Sequence, residues 1–288
     1  YILNKKINKM NLSIVWNNDP IFLELGSFQL RYYGLCWAIG VAAGWLVLKS
    51  IYKKEKQSED LLDSLFLYIV FGVIIGARLG HCFFYDPSYF LSHPLEMLLP
   101  ISKDALGNYH LTGYAGLASH GGAIGIIISI LLYSKKKRVC IWDTFDKLAL
   151  VAPLTGFFIR VGNFFNSEII GEPTSAPWGI VFMKIDNAAR HPAQLYEAFI
   201  YLIIFLVLYR FYFIIKDKYQ SGVIFGISIF FIFLSRFIIE YFKEVQESFE
   251  VFMRETFFID MGQLLSLPFI IAGTIIIIKR AHAKINKS

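Results

Sequence analysis

The chain has 288 residues, of which 56% are hydrophobic and 17% charged, whereas a soluble domain carries about 25% charged residues. Mean hydropathy is +0.53, which excludes an ordinary soluble globular protein and points to the membrane class. The net charge of +6 is loop charge between apolar runs and argues against a nucleic-acid partner.

Residues 1–31 carry Trp16, Asp19-Pro20 and Gly26, the pattern of an extended or interfacial segment. The opening YILNKKINKM has no apolar stretch, so no cleavable signal peptide is read. Apolar runs then follow at roughly 32–52, 61–85, 114–134, 141–166, 192–214, 222–242 and 260–279, each near the ~20 residues that cross the hydrocarbon. Lys49, Lys53, Lys54 and Lys56 fill the first loop, Lys135, Lys136, Lys137 and Arg138 the third, and Arg210, Lys216 and Lys218 the fifth. Lys279, Arg280, Lys284 and Lys287 fill the tail, and the alternate loops are poorer. The positive-inside rule puts the C-terminus in the cytoplasm and the N-terminus outside. Lys5, Lys6 and Lys9 oppose that orientation unless Met10 is the start.

The expected fold is therefore all-α integral membrane: one polytopic domain over 1–288, with an outer segment 1–31, a seven-helix bundle 32–279 and a cytoplasmic tail 280–288. The long outer loops 86–113 and 167–191, rich in Pro, Gly, Ser and aromatics, are read as surface lids. Glycines at helical spacing, Gly40/Gly44, Gly72/Gly76/Gly80, Gly121/Gly125 and Gly222/Gly226, let helix backbones approach closely. Cys36, Cys82 and Cys140 show no metal spacing. No internal repeat is visible.

Arg78, Arg160 and Arg236 lie inside apolar runs. A charged side chain at the bilayer centre costs at least about 2.5–3.5 kcal/mol, so each needs a protein-lined setting. On the expected topology they gather towards the outer side with Tyr33, His120, Asn163, Asn166, Glu168 and Glu240. His120 falls about six residues, or ~9 Å, into its run. Arg160, Asn163 and Asn166 share a helix face, and Arg236 and Glu240 are spaced i, i+4 for pairing. Such a cluster suits a phosphate-bearing lipid head group, because guanidinium donates to phosphate in a bidentate way. Structural readings stand beside this one: Arg78 snorkelling to the interface, Arg236–Glu240 as a packing pair, His120 as a core histidine.

Several motifs in order carry a resemblance: Tyr32-Tyr33-Gly34-Leu35, Gly76-Ala77-Arg78-Leu79-Gly80, His120-Gly121-Gly122, then Arg160-Val161-Gly162-Asn163-Phe164-Phe165-Asn166-Ser167-Glu168 followed by Gly171. Arg190-His191-Pro192-Ala193-Gln194-Leu195-Tyr196-Glu197, Arg236 with Glu240, and Met261-Gly262-Gln263 complete the set. In these the chain resembles the prolipoprotein diacylglyceryl transferases, from about residue 20 to 280. The resemblance implies a bacterial inner-membrane enzyme with seven helices, periplasmic head and arm loops, and no metal or organic cofactor. It implies transfer of the diacylglyceryl group of phosphatidylglycerol to the lipobox cysteine of a prolipoprotein signal peptide, with glycerol phosphate released. The chain departs from the family pattern at Ile232, where some members have tyrosine, and at Lys243, where arginine is expected.

That reaction is an alkyl transfer. It needs a thiolate, because a free thiol has a pKa near 8.5, and stabilisation of the departing phosphate. His120 is the candidate base; Arg160 and Arg236, with Asn163, are candidates for the phosphate. Glu168 and Glu240 are read as orienting the arginines, with either a possible base instead. Tyr33 and Arg78, with Asn166, are candidates for holding the head group. A lipid or anion transporter would also bury arginines, but with repeats and polar groups near the midplane. A receptor or scaffold leaves the His-Arg-Asn-Glu cluster unexplained. No G-x-S-x-G elbow supports a lipase.

Overall fold

The computed structural model describes residues 14–26, 28–99, 101–103, 109–111, 116–245 and 248–281. Lys5, Lys6, Lys9, Met10, Lys284 and Lys287 lie outside the described residues. The chain runs β1 (Ile14–Trp16), β2 (Ile21–Leu25), β3 (Phe28–Arg31), α1 (Tyr32–Lys54), α2 (Glu59–Phe84), α3 (Pro87–Ser92), α4 (Pro94–Leu98), β4 (Ile101–Lys103), β5 (Tyr109–Leu111) and α5 (Ser119–Lys137). It continues with α6 (Ile141–Phe165), β6 (Ile180–Phe182), β7 (Ala189–Arg190), α7 (Ala193–Lys218), α8 (Val223–Ile239), a 3-10 turn (Glu240–Phe242), α9 (Ser248–Phe257) and α10 (Met261–Arg280).

Among the described residues six helices are long and apolar enough to cross a membrane: α1, α2, α6, α7, α8 with its 3-10 extension, and α10. A long helix also fills the third predicted run, but α5 opens Ser-His-Gly-Gly and ends in Lys135, Lys136 and Lys137, which dilutes its apolar stretch. The all-α expectation needs correcting in the connections, where short strands stand. β1 pairs parallel with β6, and β6 antiparallel with β7, while β2–β3 and β4–β5 are hairpins. Turn residues bound these segments: Asp19-Pro20 precedes Ile21, and Gly26, at φ +61°, ends β2.

The described chain packs as two compact units, one of them Val47–Phe145. Within it α2 and α5 meet backbone to backbone. A Cβ on Gly76 would lie 2.4 Å from the Gly121 carbonyl oxygen, and one on Gly125 2.0 Å from that of Gly72. Gly121 is thus a packing residue like Gly125, although it follows His120. Ser58 caps α2 by accepting from the Asp60 N–H at 3.1 Å, and Glu59 and Asp60 favour the same helix end.

In the other unit Gly40 packs against Thr155 and Phe158. Gly222 corrects its reading as a packing glycine. At φ +107° it is the N-cap of α8, and Asp146 of α6 accepts from the Gly222 N–H at 2.6 Å and from the Phe225 N–H at 2.8 Å. A carboxylate from a neighbouring helix thus satisfies the free donors of the α8 start. Where α6 ends, Phe164, Ile170, Ile180 and Phe182 form a buried cluster with Trp16 and Leu195 packed on it. This cluster fixes the turn that follows α6 against the β1–β6–β7 sheet.

Candidate active site

Four helix ends supply the site: the last turns of α6 and α8 and the first turns of α7 and α10. Glu197, fully buried four residues into α7, is its centre. Glu197 Oε2 pairs with Arg160 Nε at 2.5 Å and Oε1 with Lys243 Nζ at 2.9 Å. Lys243 also pairs with Glu240 Oε2 at 2.8 Å. Two cations and two carboxylates thus neutralise one another in a setting where an isolated charge is costly. Tyr201, one turn beyond Glu197, lies beside Arg160 and Arg236, and its ring packs over Gly156.

The turn after α6 extends the network. Arg160 Nη1 donates to Asn163 Oδ1 at 3.2 Å, and Asn163 Nδ2 donates to Glu168 Oε2 at 3.2 Å. Asn166 Nδ2 donates to Glu168 Oε1 at 3.1 Å. Gln194, itself fully buried, donates to the Glu168 carbonyl at 2.7 Å. Ser167 and Ile169, on either side of Glu168, have φ of +56° and +54°. A β-branched residue there is an outlier, of the kind held by surrounding structure at functional sites. The expectation that Glu168 orients Arg160 takes a definite form: it acts through Asn163.

Arg236 is placed differently from its predicted pairing. Glu240 gives its carboxylate to Lys243, and among the described residues Arg236 enters no ion pair. Its Nε is buried without a hydrogen-bond partner. Arg236 and Arg160 both line a cavity of about 110 Å³, with Ile169, Glu240, Lys243, Glu250, Arg254 and Asp260 on the same wall. This is room for a small anionic group such as a phosphate. Tyr33 packs against Gly162, where an added Cβ would lie 3.0 Å from its Cδ2, one helical turn from Asn166.

Around the rim, Arg190 donates to Asp186 and to the Gly171 carbonyl and pairs with Glu244. The hydrogen bond from Arg190 is the main reason the Asp186 carboxyl is held below its usual range, with the Ala188 N–H contributing. The same bond holds the Arg190 guanidinium above its ordinary value against desolvation. His191 Nδ1 lies 3.0 Å from the Tyr196 hydroxyl, which accepts from Trp178 Nε1 at 2.9 Å.

The other two predicted site residues belong to the Val47–Phe145 unit. Arg78 is buried, donating to the carbonyls of Glu96 at 2.5 Å and Met97 at 3.2 Å, with its guanidinium 4.8 Å from the Phe90 ring. That replaces the snorkelling reading: the side chain turns into its own unit and fastens α4 to α2. His120 is exposed, so the core-histidine reading falls. It is the second residue of α5, because Ala118 is extended and caps the helix start, not six residues deep. Phe84 stands edge-on to its ring at 5.0 Å.

Sequence reasoning named Glu197 and Lys243 as motif positions but left both out of the site. Arg254 and Asp260 were missed altogether. The only signal for Glu197 was that an acidic residue sits near the start of a very apolar helix. Among the described residues no three His, Cys, Asp or Glu side chains are grouped to hold a metal ion.

The sequence profile of the prolipoprotein diacylglyceryl transferases matches residues 20–279. A phosphatidylglycerol–prolipoprotein diacylglyceryl transferase from Bacteroides fragilis is 46% identical over 267 residues, covering 93% of this chain and 95% of that protein. Similar proteins of the same name from Tolumonas auensis and Porphyromonas gingivalis are 40% and 39% identical, over 94% and 95% of this chain and 99% and 97% of their own lengths. The matched span takes in every residue of the Glu197-centred network, and on that basis the chain belongs to the prolipoprotein diacylglyceryl transferase family.

Proposed function

We propose that this chain transfers the diacylglyceryl group of phosphatidylglycerol to the lipobox cysteine thiol of exported prolipoproteins, releasing glycerol phosphate in the first step of bacterial lipoprotein maturation. The observation that carries this reading is Arg236: a cation with a buried, unpartnered Nε, facing a phosphate-sized cavity that Arg160 also lines.

The chemistry follows from the charges. A carbon–sulfur bond forms at a glycerol carbon as its carbon–oxygen bond to phosphate breaks, and the electron pair leaves on the phosphate oxygen. Arg236 offers its positive charge to that oxygen, and Arg160, held by Glu197 and Asn163, adds a second. Because Arg160 is fixed beforehand, little reorganisation of its charge accompanies the growth of charge on the phosphate. Asn163, Asn166, Glu168 and Glu240 hold the arginine setting, and Tyr33 borders it. His120 takes the thiol proton, the general-base role that an imidazole nitrogen can fill. Arg78, tied to the carbonyls of Glu96 and Met97, keeps its expected place beside the head group as part of this proposal.

Lys53 and Lys54, Lys135 to Lys137, Lys216 and Lys218, and Lys279 and Arg280 close α1, α5, α7 and α10. This recurrence supports seven spans with those ends in the cytoplasm and the reaction on the periplasmic side of the inner membrane. The test is incubation of purified protein with phosphatidylglycerol and a lipobox peptide, followed by mass spectrometry. One diacylglyceryl unit is expected on the cysteine, with glycerol phosphate released. Arg236→Ala should abolish the product while the protein still inserts, and His120→Gln should lose turnover but keep lipid binding. Undiminished product from Arg236→Ala would overturn the assignment.

A further inference from the structure

Helix α9 carries none of the family motifs, yet it walls the cavity. Glu250 and Arg254, spaced i and i+4, both line it. Arg254 donates to the Glu172 carboxylate, to Asp260 Oδ2 at 3.2 Å, and to the carbonyls of Glu240 at 3.3 Å and Lys243 at 3.2 Å. One side chain thus fastens the polar face of α9 to the turn after Gly171, the 3-10 turn and the start of α10.

The rest of α9 is unlike a soluble helix. Phe252, on the side opposite Arg254 by helical periodicity, is 63% exposed, and so is Phe257; their rings meet edge-on at 6.5 Å. Phe258 is 79% exposed and held at φ +57°, a conformation unusual for a bulky residue. Only residues 258–260 separate α9 from α10, a helix apolar enough to cross a membrane. The capping box of Asp260 with Gln263 marks where that helix begins. The three phenylalanines therefore stand at the membrane end of a spanning helix, the level where aromatic side chains concentrate and where amphipathic helices lie in the plane of the bilayer.

We propose that α9 is an interfacial flap, with Phe252, Phe257 and Phe258 seated at the boundary between lipid head groups and acyl chains and Glu250 and Arg254 turned to the cavity. A phospholipid moving in the plane of the membrane then brings its phosphate to Arg254 before Arg236. This rests on the proposed phosphate site only for the second step; the seating of α9 is independent of the reaction.

The test uses the full chain in phosphatidylcholine bilayers without substrate. Nitroxide labels at Phe252→Cys and Phe257→Cys, in a background with Cys36, Cys82 and Cys140 replaced, are read by power saturation. Greater collision with oxygen than with a water-soluble nickel chelate is expected, at a depth of about 5–10 Å; preferential collision with nickel would overturn the proposal even if transfer activity is normal. In the second arm, Phe252→Ser/Phe257→Ser/Phe258→Ser should raise the KM for vesicle phosphatidylglycerol about tenfold, as the lost apolar anchoring demands. It should leave the kcat and the KM for a monomeric short-chain phosphatidylglycerol unchanged. A rise confined to the KM for the lipobox peptide would mean that the patch docks the signal peptide, and would also overturn it.

Discussion

At the scale of single residues, the site is organised by Glu197. Its two oxygens hold Arg160 and Lys243, which are also tied to Asn163 and to Glu240 respectively. Glu197→Gln keeps the shape but removes the charge. Removing one partner of a buried ion pair costs about 3–5 kcal/mol, and this variant should show a clear loss of thermal stability in detergent. Its transfer rate should fall far more than that of Glu244→Gln, whose partner Arg190 keeps Asp186. Equal activity in the two variants would remove Glu197 from the centre. The sequence read Arg236 and Glu240 as an i, i+4 pair, whereas the Glu240 carboxylate pairs with Lys243. Helical spacing places them together, but the 3-10 turn after Ile239 swings Lys243 back onto Glu240. Periodicity along a helix is legible in a sequence, whereas a partner that arrives from the next segment is not. Lys243, noted as a departure from the family's arginine, proves to be a point charge bridging two carboxylates, which an ammonium does as well as a guanidinium fork.

At the scale of elements, the helix positions were legible because each apolar run is long and flanked on one side by basic residues. The strands were not, since three-residue segments such as Ile14–Trp16 and Ile180–Phe182 pair across more than 160 positions of sequence. Their β-branched and aromatic residues look the same in a loop. Two elements meet at Gly262, in the first turn of α10. A Cβ there would lie 2.3 Å from Glu240 Oε1, so the backbone of α10 is packed directly on the carboxylate that holds Lys243. Gly262→Ala should push Glu240 aside and loosen Lys243, lowering transfer activity at least tenfold with a loss of roughly 1–3 kcal/mol in stability, the usual cost of overpacking. Thermal unfolding and the peptide transfer assay read both; wild-type activity would show that Glu240 has room to move. Gly76 and Gly125 were legible as packing glycines, since their spacing alone announces close helix contact.

At the scale of the whole molecule, the account needs one orientation. Cys140 is exposed between the basic end of α5 and the start of α6, while Cys36 and Cys82 are buried. A membrane-impermeant maleimide should label Cys140 only after the cytoplasmic face is opened, and labelling in intact cells would reverse the topology. The gathering of arginines was foreseen from topology, and for Arg160 and Arg236 the structure supplies a shared cavity. For Arg78 the structure shows the partners within its own unit, the Glu96 and Met97 carbonyls, which depth along a helix could not name. The central claim is that Arg160 and Arg236 act on one anion. A double-mutant cycle with Arg160→Lys and Arg236→Lys, read as kcat/KM in the peptide transfer assay, tests it most directly. Side chains that share a partner couple by about 0.5–3 kcal/mol, so the double variant should depart at least about twofold from the product of the single effects; single effects that simply multiply would contradict a common phosphate site.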